Sequence, residues 1–118
     1  MPTAVPGCLF CSIAARTIPA KIVMENDHVL AFEDIRPMAP KHALVIPKNH
    51  LTGVHEATRG DAAMLGELVL AARDVAEKMG LAEGGYRLVM NQGADGGQSV
   101  FHLHCHVLGG RPMAWPPG

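Results

Sequence analysis

The spacing of apolar residues changes twice along this chain, and the changes divide it into elements. "AKIVMEN" (20–26) and "HVLAFED" (28–34) alternate apolar and polar positions, the period of a half-buried strand, with Glu25-Asn26-Asp27 supplying turn chemistry between them. "RPMAPKH" holds two prolines and is predicted to be a loop; "HALVIPK" is a third strand, an apolar run closed by Pro47. From Asp61 to Met79 the period lengthens: Leu65, Leu68, Ala72, Val75 and Met79 recur every three or four residues, one stripe of a long helix. Thr58 and Asp61 have the spacing of a capping box ahead of it, and Gly80 is a natural stop. After it the strand period returns in "YRLVMN" (86–91) and "VFHLHCHVL" (100–108), separated by the glycine-rich "QGADGGQS". Near the start, "CLFCSIAAR" (8–16) predicts a short helix that ends before Pro19. Strands, one long helix and more strands read as an α+β fold with a mainly antiparallel sheet of about five strands.

The 118 residues suffice for one domain, taken as 1–118, and no internal repeat or linker divides them. Apolar residues make up 48% of the chain, enough for a core, but only 4% are aromatic, so that core is aliphatic. The net charge of −1 builds no field able to recruit a nucleic-acid backbone or an anionic membrane. No apolar run approaches the roughly 18–20 residues of a membrane span. The start, "MPTAVPGCLFC", lacks the basic flank and apolar core of a signal peptide, so the expected location is the cytoplasm. Three cysteines cannot all pair within one chain, and Cys8, Cys11 and Cys105 are read as thiols or metal ligands.

The chemistry concentrates in the last strand. Side chains at i, i+2 and i+4 share a strand face, so His102, His104 and His106 are expected to point one way and Leu103, Cys105 and Val107 the other, onto the long helix. A zinc hydrolase is one reading of such a face. Three histidines of one strand, however, span about 13–14 Å, too far to meet at one ion. The second reading is a histidine nucleophile. A neutral imidazole nitrogen attacks phosphorus without prior deprotonation, and the phosphoimidazole then leaves readily. Such a site needs the other ring nitrogen held protonated, an anion cradle and a donor for the leaving group. "NQGADGGQS", directly before the histidines, offers a cradle of backbone N–H groups with Asn91 and Ser99 as further donors, although the same residues also suit a plain hairpin turn.

The alternation His102-Leu-His104-Cys-His106-Val-Leu resembles the motif of the histidine triad (HIT) superfamily. "IPAKIV", "LAFEDIRPMAPKHALVIPK", "GYRLVMNQGADGGQSVFHLHCHVLGGRPM" and the tail "WPPG" are similar to the Hint branch over nearly the whole chain, and the tail favours that branch over the dinucleoside polyphosphate hydrolases. The resemblance implies the HIT fold, dimerising into a continuous sheet, and a purine nucleoside phosphoramidase that splits the P–N bond of nucleoside 5′-monophosphoramidates, and of some acyl-adenylates. Alternatives are a nucleotide-binding adaptor with residual hydrolysis, a dinucleoside polyphosphate hydrolase and the zinc hydrolase. By the resemblance, His104 is the nucleophile and the carbonyl of His102 holds its distal N–H. His106 and Asn91 bind phosphate oxygens, Ser99 serves the leaving group, Gly97 lends a backbone N–H, and His42 is a further site histidine. Asp34 takes the ribose hydroxyls, while Leu9, Phe10, Ile13, Ile18, Phe32 and Ile35 line the base pocket; read alone, each of these six is plain core and Asp34 a turn residue. No catalytic cofactor is implied. Cys8-x-x-Cys11 departs from the animal pattern; with His50 and His102 it matches the structural zinc site of some bacterial relatives, with buried thiols or a redox pair as alternatives. The implied assembly is a homodimer, and the tail 111–118 is expected near the dimer interface and the partner's active site.

Overall fold

The computed structural model describes residues 4–118; the first three residues of the expected domain, and of the start read for a signal, lie outside them. Its elements are α1 (Leu9–Ala14), β1 (Ile22–Glu25), β2 (Val29–Glu33), β3 (Lys41–Pro47), α2 (Ala62–Lys78), β4 (Tyr86–Val89) and β5 (Cys105–Gly109). The strands form one five-stranded sheet in the order β1-β2-β3-β5-β4, every neighbouring pair antiparallel. The turn between β1 and β2 closes as the residue types require: the Asn26 side-chain oxygen accepts the backbone N–H groups of His28 (2.8 Å) and Val29 (3.0 Å).

α2 begins from a turn of 3₁₀ helix, Arg59–Asp61, capped by Thr58. The Thr58 side chain accepts from Gly60 N–H, and Asp61 Oδ2 accepts the Thr58 N–H at 2.8 Å, so the predicted capping box is present. The helix stops at Gly80, whose φ of +78° is cheap only without a Cβ. Its buried stripe of Leu68, Ala71, Ala72, Val75 and Ala76 packs on the face of the sheet made by Val29, Ala31, Ala43, Val45, Cys105 and Val107. Small residues in the stripe let the helix approach the sheet closely. Leu103 and Cys105 join this core as expected, and burial pushes the Cys105 thiol up to about 11.

The alternation of β2 and β3 sends Leu30, Phe32, Leu44 and Ile46 to the opposite face, where Phe10 and Ile13 of α1 cover them. The period continues past the end of β2, placing Asp34 on this same side. His42 and His106 share the face too, diagonal neighbours in the register Leu44↔His106 and His42↔Leu108.

One strand differs from its prediction. β5 spans Cys105–Gly109 rather than 100–108. Its partner β3 ends at Pro47, and the last paired position is Val45↔Cys105. Before that point the chain pairs elsewhere: Leu103 N–H donates to the Leu51 carbonyl at 2.7 Å. His102 and His104 therefore sit outside the ladder, with a bend in the chain at His102. All three histidines lie on the α1 side of the sheet, opposite Leu103, Cys105 and Val107, but they serve different clusters there. His102 is fully buried and directed towards α1, whereas His104 and His106 stay together with ring centroids 4.9 Å apart.

Candidate active site

A slot of about 260 Å³ opens on the α1 side of the sheet. Leu9, Phe10 and Ile13 of α1, Ile18, Phe32, Ile35 and Leu44 make it apolar, while Glu33, Asp34, Ser99, His104 and His106 are its polar lining. All six residues expected to form a base pocket are thus here, with His104, Ser99 and Asp34, the residues expected to serve as nucleophile, leaving-group donor and ribose acceptor. Phe10 stands edge-on to His104 (centroids 5.1 Å, 86°) and to Phe32 (5.5 Å, 69°), which fixes the wall against the imidazole.

The hydrogen bonds assign each tautomer. His104 Nδ1 lies 2.7 Å from the His102 carbonyl, an acceptor only, so Nδ1 carries the proton and Nε2 keeps its lone pair. His42 Nδ1 accepts the backbone N–H of Met38 at 3.0 Å, so in the neutral ring the proton is on Nε2. That Nε2–H donates to His106 Nδ1 at 2.9 Å. His106 must then carry its own proton on Nε2. A nucleophilic nitrogen and an N–H donor arise on neighbouring rings from the same strand because each has a different backing partner.

Burial favours the neutral form of His106 and His42. Burial, and then the neighbouring His104 and His42, push His106 from its ordinary 6.5 down to about 4, against the pull of Asp34. Burial also lowers His42, again opposed by Asp34, whose Oδ2 lies 3.5 Å from His42 Nε2. Asp34 Oδ1 accepts the Arg36 N–H at 2.8 Å, which sets the carboxylate's orientation.

Asn91, Gly97 and His42 do not line the slot. His42 stands behind His106. Asn91 Nδ2 donates to the Gly96 carbonyl at 2.6 Å, holding the glycine loop in which Gly97 adopts φ +76°. The loop has a second staple that the sequence did not flag. Buried Gln98 accepts from Gly93 N–H at 2.9 Å and donates to the Thr52 carbonyl at 2.6 Å. A glutamine among glycines carries no sequence signal for such a role, since Thr52 lies in a distant turn. The tail lies open, with Trp115 82% exposed and the Ala114 carbonyl accepting from Arg87 of β4 at 2.8 Å; none of residues 111–118 lines the slot.

Behind the slot, Cys8, Cys11, His50 and His102 converge, their ligand atoms all within 4.8 Å of one another. His102 Nδ1 is 3.4 Å from Cys8 Sγ, 3.5 Å from Cys11 Sγ and 3.1 Å from His50 Nδ1, and Cys11 Sγ is 3.4 Å from His50 Nδ1. A tetrahedral zinc with two thiolates and two imidazoles has edges of about 3.3–3.8 Å, so the donor set fits one. The tautomer fits as well. His102 Nε2 donates to the Pro47 carbonyl at 2.8 Å, which leaves the Nδ1 lone pair facing the cluster. Burial, the largest cause, lowers His102 to about 4 and keeps it in the neutral, ligating form. Asp34, His42 and His106 also lie within 4.8 Å of one another, but His42 and His106 are already matched there as donor and acceptor.

A model of the HIT domain matches residues 15–113 of this chain, beginning just after the two cysteines. A HIT-like protein of Synechocystis sp. is 53% identical over 110 residues, 93% of this chain and 96% of its own. Among solved structures, the HIT family hydrolase from Legionella pneumophila is 49% identical with a TM-score of 0.93, covering 95% of this chain and all of that one. The histidine triad nucleotide-binding protein from Candida albicans is 28% identical with a TM-score of 0.81, over 93% of this chain and 83% of that one.

Proposed function

The chain belongs to the HIT domain family, and from that premise we propose that it is a hydrolase of purine nucleoside 5′-phosphoramidates acting through a nucleotidyl–histidine intermediate. The observation that carries this reading is the 2.7 Å bond from His104 Nδ1 to the His102 carbonyl, on a residue that lines an apolar slot with Asp34 among its polar lining. The purine lies between Phe10, Ile13 and Phe32, and the Asp34 carboxylate accepts the ribose hydroxyls. The relatives named for hydrolysis and for nucleotide binding support the same class.

The reaction follows from the tautomers. The Nε2 lone pair of His104 bonds to the α-phosphorus while the P–N bond to the amine breaks; the leaving nitrogen takes a proton from solvent, and the Ser99 hydroxyl hydrogen-bonds it as it departs. The Nδ1–H to His102 steadies the positive charge that the ring acquires. His106 Nε2–H, backed by His42, donates to a phosphoryl oxygen where charge builds. Asn91 and Gly97 act through the loop that borders the phosphate. Water then adds to phosphorus, the P–N bond to His104 breaks, and the nucleoside monophosphate leaves. Zinc, when bound by Cys8, Cys11, His50 and His102, supplies a cross-link between α1 and the sheet, because four protein ligands close its coordination.

The working unit of this proposal is a cytoplasmic homodimer. β4 is a sheet edge with exposed Tyr86 and Leu88, suited to pairing with a second copy, and the exposed tail reaches the partner's site. Sedimentation measures the first point, and deletion of residues 113–118, which should alter leaving-group preference, the second. For the chemistry, a fluorogenic adenosine phosphoramidate is turned over by the wild type and not by His104→Asn. Equal, negligible turnover by both proteins, with retained AMP binding, would leave an adaptor instead.

A further inference from the structure

The four-residue thiol–imidazole cluster and the slot share a wall. α1 carries Cys8 as its N-cap and Cys11 in its first turn, and between and beyond them Leu9, Phe10 and Ile13 face the slot. The helix is six residues long, far below the length at which a helix holds itself together in water. Its fixed position therefore comes from what it touches. Phe10 and Ile13 pack on Leu30, Phe32, Leu44 and Ile46. The two thiols meet His50 and His102, and an exposed ion pair joins Arg16 to Glu25. Both thiols also accept backbone N–H groups from the same segment, Cys11 N–H to Cys8 Sγ and Val5 N–H to Cys11 Sγ, each at 3.4 Å. A cation gripped by Cys8 and Cys11 thus orders the whole stretch from Val5 to Ile13.

His102 gives a second route. Its ring faces the cluster, its Nε2 is tied to Pro47, and its carbonyl holds His104 Nδ1. Phe10 closes the circuit, edge-on to His102 (6.0 Å) and to His104 (5.1 Å). A group that orders α1 and His102 builds two sides of the slot before any nucleotide arrives.

We propose that the Cys8/Cys11/His50/His102 cluster and the slot are reciprocally linked through α1 and His102, so that zinc tightens nucleotide binding and a bound nucleotide tightens zinc. The inference rests on the reading of the slot as a nucleoside monophosphate site. The physical basis is shared ordering: the first ligand immobilises a wall that the second needs immobile, and the second then loses less conformational freedom on binding. Linkage requires the factor to be the same in both directions, and couplings of this kind are about 5–150-fold.

The test uses full-length protein with AMP and zinc as probes. AMP affinity is measured by calorimetry on zinc-loaded and metal-free protein, and zinc affinity by competition with a chromophoric chelator, with and without saturating AMP. We expect AMP to bind the loaded form at least about fivefold more tightly, and zinc affinity to rise with AMP by the same factor. Phe10→Ala should keep the thiol ligands yet shrink the factor. AMP binding equally to both forms, or zinc affinity indifferent to AMP, would overturn the linkage while leaving the slot reading intact. AMP binding to neither form would instead sink the slot reading. Absence of zinc binding, or a metal-free protein that circular dichroism shows to be globally unfolded, would overturn the local route through α1.

Discussion

His42 is the residue whose role the structure changes most, and its replacement tests the tautomer argument. It is 5% exposed, lies outside the slot lining, and reaches the reacting groups through the 2.9 Å bond from Nε2–H to His106 Nδ1, with Asp34 Oδ2 at 3.5 Å from the same nitrogen. In His42→Leu that donor is gone. His106 then loses the partner that fixes its proton on Nε2, and its ring is free to take the other tautomer or swing. One neutral hydrogen bond contributes a net of about 0.5–1.5 kcal/mol, which corresponds to about a two- to tenfold change in rate. Deleting the donor itself, in His106→Ala, removes a preorganised contact to developing charge and should cost about 100- to 1,000-fold in kcat. The expected order is wild type, then His42→Leu lower by up to about tenfold in kcat with KM little changed, then His106→Ala far below. His42→Gln, whose amide donates from a similar place, should recover most of the loss. The backbone N–H of Met38 also loses its acceptor in His42→Leu, but Met38 is 74% exposed, so water replaces it and the thermal midpoint should move little. The assay is steady-state hydrolysis of a fluorogenic adenosine phosphoramidate. Full turnover by His42→Leu, or a loss as deep as that of His106→Ala with no rescue by glutamine, would refute the chain of donors.

Further outcomes follow from the same geometry. Asp34→Asn should raise KM for a ribonucleoside phosphoramidate about 10- to 100-fold by weakening charge-assisted bonds, and should affect the 2′-deoxy substrate less; equal effects on both would remove Asp34 from the ribose. Stability should fall with acid. His106 takes its proton at about 4 in the fold and near 6.5 when unfolded, so the unfolded chain binds more protons between those values. Its contribution is complete above pH 6.5 and is lost as pH falls towards 4. Urea unfolding at pH 7 and pH 5 should show a smaller drop for His106→Gln than for wild type. Removing zinc with a chelator should lower the thermal midpoint, an effect that Cys11→Ser abolishes; a midpoint indifferent to chelation in the wild type would argue against the cross-link.

Much of this architecture was legible in the chain because burial imposes period. Leu68, Ala72 and Val75 mark one face of α2 whatever lies opposite, and Leu30, Phe32 and Leu44 alternate because one sheet face is covered by α1. Asp34 falls on the side of Phe32 by the same parity, but read alone it is a turn residue, and its role comes from the resemblance. The start of β5 was not legible. Residues 100–104 alternate as a strand does, but the ladder ends where β3 reaches Pro47, a limit set by a partner 55 residues away from His102. The three histidines share the α1 side as their alternation predicts, and on that side His102 meets thiols 91 and 94 residues distant. Local spacing carries no information about that partner. The resemblance to the HIT motif supplied the roles of His104 and His102, and the 2.7 Å bond between them fits that expectation. It placed His42 among the site histidines without separating a residue that lines the slot from one that orients a neighbour. That distinction needs the acceptor on each ring nitrogen, which only the folded chain provides. Gln98 escaped notice because its hydrogen bonds join the glycine loop to Thr52, a contact with no periodic signature.

The central claim is that the Nε2 of His104 becomes covalently bonded to phosphorus. Rapid acid quenching of the protein mixed with an adenosine phosphoramidate, followed by mass analysis of its peptides, measures this directly. The account predicts a transient adenylyl group on the peptide that contains His104, appearing before free AMP and absent from His104→Asn. Turnover with no protein-bound nucleotide at any time, or a nucleotide carried on another residue, would contradict it.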